Sequence, residues 1–238
     1  MASEAMRVQE EILASEAAAI DARLQVLGHN YWIFHRNYDE LWKVLAAKDK
    51  PEVILPIMAL ERRADLDLVL LECARLLINF AVSAKILIDH TRIVVDRFYR
   101  DTDFHSEYRK EIGKRFDGNA TAGFIEDLRN YAVHYQIPFT HVYAHFSRDR
   151  TEEPLQGGFI FALHKPALLQ WKWSKGKAFI QSSDDKIDVA AIVAEYHDLV
   201  TDFHYWLNTR LRSIHAKELK WLDKKYAQLA RLLGTSSG

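Results

Sequence analysis

Between residues 66 and 98 the side chains Leu66, Val69, Leu70, Cys73, Leu77, Phe80, Ala84, Leu87, Thr91, Val94 and Phe98 recur at helical spacing. That rhythm follows the 3.6-residue period of an α-helix, and a helix of about 35 residues is about 50 Å long. Its inner part is apolar nearly all round, the pattern of a helix packed on several sides. A chain with such an element has to build around it as a central strut, so the fold expected is mainly α: an antiparallel helical bundle of long helices.

The flanking segments fill in that bundle. Leu13, Ala17, Ile20, Leu24 and Leu27 form one apolar stripe, read as a first helix that stops at Gly28. Phe34, Tyr38, Leu41, Trp42 and Leu45 mark a second helix ending before Pro51, and the residues around Pro56 read as a connector. A shorter helix over 106–116 stops at the turn cluster Asp117, Gly118 and Asn119. The stripe Phe124, Ile125, Leu128, Tyr131, Ala132 and Tyr135 predicts the next helix, closed off by Pro138, since the residue before a proline avoids helical geometry.

Residues 140–147 alternate, with Val142, Ala144 and Phe146 on one side and His141, Tyr143 and His145 on the other, which predicts a strand. A polar loop with Pro154 leads to Gly157, Gly158 and the apolar run 159–163, the return strand of a small β-hairpin insertion. Pro166 opens a short helix ending near Trp171 or Trp173, and Gly176 and the cluster 182–185 read as loops. Asp188 is an N-cap for a long amphipathic stretch from Ile192 to Leu233, with a break near Ser213. The expected organisation is a single domain over 1–238, with a core at about 60–138, the hairpin at about 139–164 and the C-terminal long helix at about 188–233. No internal repeat is visible, and 234–238 alone is low in complexity.

Bulk properties narrow the function classes. The formal net charge of -1 gives no overall attraction to a polyanion, so nucleic acid would have to be held by a local patch. Over 205–233 the basic residues Arg210, Arg212, Lys217, Lys220, Lys224, Lys225 and Arg231 face only Glu218 and Asp223, a run that reads first as a solvated helix face. The lone Cys73 excludes an intramolecular disulfide and suits a reducing compartment. The acidic start with Glu4, Glu10, Glu11 and Glu16 does not read as a signal peptide, and charges recur too often in 66–95 for a membrane span. A cytoplasmic protein is expected, without a membrane partner. Gly-rich phosphate loops, nucleophile elbows and zinc-protease helices are absent from the sequence.

The segment Arg129, Asn130, Tyr131, Ala132, Val133, His134 joins a planar phosphate-binding cation to the side chain that titrates near neutrality. Asn130 and His134 are four apart and share a helix face, and the long stem of Arg129 lets it swing towards them. RNA cleavage needs those groups: a base for the 2′-OH, an acid for the leaving 5′ oxygen and a cation on the phosphate. The plain alternative makes Arg129 a surface residue paired with Glu126 or Asp127, and His134 a helix terminus favoured by the dipole.

A long helix rich in Leu, Ile and Phe, followed by a shorter one carrying arginine, a polar residue, three residues and histidine, resembles the HEPN superfamily. The signature there is arginine, four to six residues, histidine, and Arg129, Asn130 and His134 match it at the shortest spacing. Residues 75–92, with Asn79, Phe80, Asp89 and His90, also look like the long helix of bacterial HEPN-like proteins. The resemblance covers about 60–138. It implies a metal-independent endoribonuclease of toxin, antiviral defence or CRISPR systems, with Arg129, Asn130 and His134 as catalytic residues, no cofactor and no metal. It further implies RNA as substrate, a homodimer in which two copies of His134 supply base and acid, and an antitoxin or other protein partner. Many relatives are non-enzymatic modules binding a protein or nucleotide, which is the alternative function. In one toxin branch a tyrosine stands two residues after the histidine; here Gln136 occupies that position.

Other histidines and aromatics weigh less. His141 and His145 share a strand face without further ligands nearby, and a metal needs three or four. His197 and His204, seven apart, are too distant for one ion, and His90 reads as a partly buried residue of the strut. Trp171, Trp173, Tyr205 and Trp206 have rings that stack on bases in some proteins, but at helical spacing they read first as core.

Overall fold

A computed structural model describes residues 2–138, 140–147 and 156–234. Among them are ten α-helices and one three-stranded antiparallel sheet, so the chain is mainly α with a small β-hairpin inserted between helices, as the periodicity predicts.

The N-terminal reading needs correcting. Helix α1 covers Ala2–Leu13 and α2 covers Glu16–Leu45, so the stripe from Leu13 to Leu27 is split at its start and runs through Gly28. Ser15 makes the split: its hydroxyl donates to the Ile12 carbonyl at 2.7 Å and accepts from the Ala18 N–H at 3.1 Å, capping α2. Gly28 does not stop the helix because Phe34, Leu41 and Leu45 beyond it are fully buried. Their packing outweighs the roughly 1 kcal/mol that a glycine costs in a helix interior.

The connector around Pro56 is also helical. Helix α3, Pro51–Ile57, begins on Pro51, whose missing N–H is one the first turn leaves unpaired anyway, and Pro56 falls in its last turn. Helix α4, Arg63–Phe98, is the predicted strut; its 36 residues span about 54 Å at 1.5 Å per residue. Helix α5, Asp103–Phe116, ends at a turn where Gly118 takes a φ of 74°, a left-handed conformation that favours glycine. Helix α6, Ala120–His134, follows, capped by Asn119, whose side-chain oxygen accepts from the Ala122 N–H at 2.8 Å.

Strands β1, Thr140–Ser147, and β2, Gln156–His164, pair antiparallel with Thr140 opposite Leu163. The predicted loop with Pro154 lies outside the described residues, as do the side chains of His145 and Phe146 and the segment 235–238. A third strand, β3, Lys186–Asp188, pairs with β2 in a segment whose flank reads as loop. Helix α7 is only Lys165–Leu168, so it stops short of Trp171, and α8, Lys177–Ser182, falls between the loops read at Gly176 and 182–185, where no helix is expected. Both departures come from segments too short to show a period. Asp188 is the predicted N-cap of α9, Val189–Ile214, accepting from the Ala190 N–H at 2.8 Å, and the predicted break falls at His215 before α10, Ala216–Leu232.

The principal core lies where α2, α4, α6, α9 and β2 meet, around Phe34, Phe80, Phe124, Tyr131, Phe161 and Val193. A second core joins α2, the end of α4, α5 and α9 through Leu24, Val95, Tyr99, Phe104, Phe203 and Leu207. The long helices α4 and α9 run through both. A small third cluster, with Val8, Ile12, Ala17 and Leu222, holds α1 against α10.

Candidate functional site

The last two turns of α6 carry the predicted triad. Phe124, Ile125, Leu128 and Tyr131 face the core, which turns Asn130, Val133 and His134 outward. The helix ends as Tyr135 and Gln136 both donate to the Tyr131 carbonyl, at 2.9 and 3.2 Å. Positive charge at this end is favoured by the helix dipole, and both Arg129 and His134 lie within it.

Arg129 and Asn130 are brought together: Arg129 Nη1 donates to Asn130 Oδ1 at 2.9 Å, and both residues are half-buried. The His134 side chain is exposed and makes no hydrogen bond to either, nor to any other described residue. The ion pair with Glu126 or Asp127 does not form. Glu126 is engaged by Lys175 Nζ at 2.8 Å. Asp127, expected on the polar face, is buried: its Oδ2 accepts from the backbone N–H groups of Ser174 and Gly176 at 2.8 and 2.9 Å. The neighbouring carboxylates are thus spent on the 174–176 loop, and the Arg129 guanidinium keeps donors directed to other acceptors.

Around the motif, Val133, Tyr135 and Ile137 present large apolar side chains to solvent. The described cavities are lined by residues other than Arg129, Asn130 and His134. The aromatic residues behind it are core. Trp173 stacks on Tyr131 and Phe124, each with centroids 5.4 Å apart, and its indole donates to the Leu168 carbonyl at 2.6 Å.

The other histidines group differently from the sequence expectation. His197 and His204 are both buried on α9, and each meets α2: His197 Nε2 lies 2.9 Å from His35 Nδ1 and stacks on Tyr38, while His204 stacks on Tyr31. Burial pushes both imidazoles below the usual histidine range, that of His204 to about 4. His197 Nδ1 is 3.5 Å from Asp198 without hydrogen-bond alignment, so like His204 Nε2 it has no partner. Among the described residues no group of three or more His, Cys, Asp or Glu side chains is arranged to hold a metal ion. Cys73 is buried, and burial raises its thiol to about 11, so it is held as an inert thiol.

The basic run in α9 and α10 is partly neutralised across helices. Arg210 makes a two-pronged bond with Glu107 of α5 at 2.6 and 2.7 Å, and Lys225 pairs with Glu11 of α1 at 2.8 Å. No helix among the described residues is long and apolar enough to cross a membrane. Comparison of the chain with protein-family models, with curated proteins and with solved structures finds no match. What this surface does must therefore be argued from its chemistry.

Proposed function

We propose that the chain is a metal-independent endoribonuclease of HEPN type acting as a homodimer, with Arg129, Asn130 and His134 as its catalytic residues. The observation that carries this reading is the presentation of Arg129 and His134 on the open end of α6, the arginine bonded to a neutral amide and not to the carboxylates beside it. A guanidinium neutralised by its own neighbours is a poor phosphate ligand; this one is not.

The step needs two proton carriers. One His134 takes the proton from a ribose 2′-OH, the 2′ oxygen attacks the adjacent phosphorus, and the bond from phosphorus to the 5′ oxygen breaks as the partner's His134, protonated, supplies the leaving group's proton. The products are a 2′,3′-cyclic phosphate and a 5′-OH. Arg129 grips the non-bridging oxygens, and Asn130 holds the guanidinium in place. A composite arrangement takes its second wall from another copy, and exposed Val133, Tyr135 and Ile137 supply apolar surface for that contact.

Purified protein is expected to cut single-stranded RNA with chelator present and to leave cyclic phosphate ends. His134→Ala is expected to lower the rate by about 10²- to 10⁴-fold, the usual worth of a positioned acid or base. A 2′-deoxy substitution at the cut position is expected to block cleavage. Undiminished cutting by the His134 variant, or none by the wild type over a panel of RNAs, removes the reading.

The alternative is a non-enzymatic module binding a protein or nucleotide. A sizeable cavity lies at the other end of α6, away from the triad.

A further inference from the structure

Where the two principal cores meet, α4, α5, α6 and α9 enclose a cavity of about 570 Å³ beneath the turn 117–119. That volume is within the range of small-molecule sites. Its walls are mainly apolar: Leu87 and Ile88 from α4, Ile112 and Phe116 from α5, Val200 and Phe203 from α9.

Set into those walls are polar groups with nothing to bond. Tyr108 and Tyr196 are each 2 % exposed, yet neither phenol hydroxyl has a hydrogen-bond partner among the described residues, and burial raises both phenols, Tyr108 to about 12. Thr91, 3 % exposed, is unpartnered as well. His204, 8 % exposed, has an Nε2 sealed in the wall without a partner. The three hydroxyls are not among the sealed atoms, so each keeps accessible surface, and all three residues line this cavity. Buried tyrosines ordinarily bond their hydroxyls, and an unmade buried bond costs about 1–3 kcal/mol, so three such hydroxyls around one space call for an occupant.

Charge narrows what that occupant is. The one cation lining the cavity, Lys175, is already paired with Glu126, and the remaining ionised group is the carboxylate of Asp117. The deep wall offers hydroxyls, which suit donors and acceptors but not a full charge. Water satisfies polar groups, but filling the space would take on the order of twenty molecules at ~30 Å³ each, most of them against apolar walls.

We infer that this cavity is a binding site for an uncharged, mainly apolar small molecule that carries hydrogen-bonding groups, held by the hydroxyls of Tyr108, Tyr196 and Thr91. The site is separate from the α6 triad and stands whether or not the triad cuts RNA.

The test uses a matched pair of fluorescent probes on the full chain: neutral N-phenyl-1-naphthylamine, with one N–H donor, and its 8-sulfonate, the same skeleton with a fixed negative charge. The neutral probe is expected to bind saturably with one-to-one stoichiometry, at least tenfold tighter than the sulfonate. Val200→Trp, which fills the space, is expected to abolish binding. The double variant Tyr108→Phe, Tyr196→Phe keeps the shape and removes unbonded hydroxyls, so it is expected to fold with an undiminished Tm and to bind the neutral probe about threefold to tenfold more weakly. Absence of binding to the wild type, equal affinity for the sulfonate, or affinity unchanged in the double tyrosine variant overturns the proposal. Should Val200→Trp fail to fold, the tyrosine variant decides alone.

Discussion

At the scale of single residues, burial acts on His204 more strongly than on His197 or His215. Packed on Tyr31 in the seam with α2, its imidazole is held neutral, with the pKa pushed from the usual 6.5 to about 4. The unfolded chain takes up that proton below about pH 6.5 and the folded chain refuses it down to about 4. This contribution to stability is therefore intact above 6.5 and is lost as pH falls towards 4, reaching about 2 kcal/mol by pH 5. His197, lowered by burial against Tyr38 and His35 with Asp198 and Asp39 nearby, acts with the same sign. Urea unfolding is expected to show a clear loss of stability from pH 7 to pH 5, and His204→Gln, which does not ionise here, is expected to reduce that loss. Equal pH sensitivity in the two proteins would refute the assignment. Sequence could mark the histidines but not this seam, because their partners lie on α2, more than 160 positions away. Asp127 escaped notice for the same reason: beside Arg129 it looks like a surface acid, and the N–H groups it holds are 47 and 49 positions on.

At the scale of elements, close approach of α6 to the loop before α8 rests on one missing methyl group. A Cβ on Gly123 would lie 2.9 Å from the Lys175 carbonyl oxygen, and that loop cannot easily give way because Asp127 holds the N–H on either side. Alanine there gains up to about 1 kcal/mol of helix propensity but meets a backbone clash worth about 1–3 kcal/mol, so Gly123→Ala is expected to lower the Tm. Gly28, also mid-helix, has nothing within 4 Å of its would-be Cβ, and Gly28→Ala is expected to raise the Tm through about 0.5–1 kcal/mol. Thermal melts that reverse this order would show that the loop packing is misread. The long helices were legible in the sequence because an apolar stripe of many turns overdetermines its period: α4, α6 and α9 lie where the spacing puts them, and Asp188 caps as its chemistry suggests. The short elements α3, α8 and β3 were not, since a few residues carry no period and their place is fixed by packing on neighbours. Gly28 misled for a related reason, a local stop signal overruled by tertiary burial beyond it.

At the scale of the whole molecule, a formal charge of -1 gives RNA no overall attraction, and of the basic run Arg210 and Lys225 are paired across helices. Capture then depends on the few cations at the site itself, and two copies related by a two-fold axis double their number while supplying the second imidazole. This makes the proposed chemistry a property of the dimer, with a consequence that a one-chain mechanism lacks. When wild-type chains at fraction f exchange freely with His134→Ala chains, dimers with both imidazoles occur as f². Equal mixing would leave about a quarter of the cleavage rate, where independent chains would leave about half. Co-expression of the two forms with distinguishable tags, followed by rate measurement on the unfractionated mixture, separates these outcomes. A linear fall with f would leave each chain's His134 acting alone, and with one imidazole per site the paired acid and base of the proposed mechanism would have to be abandoned.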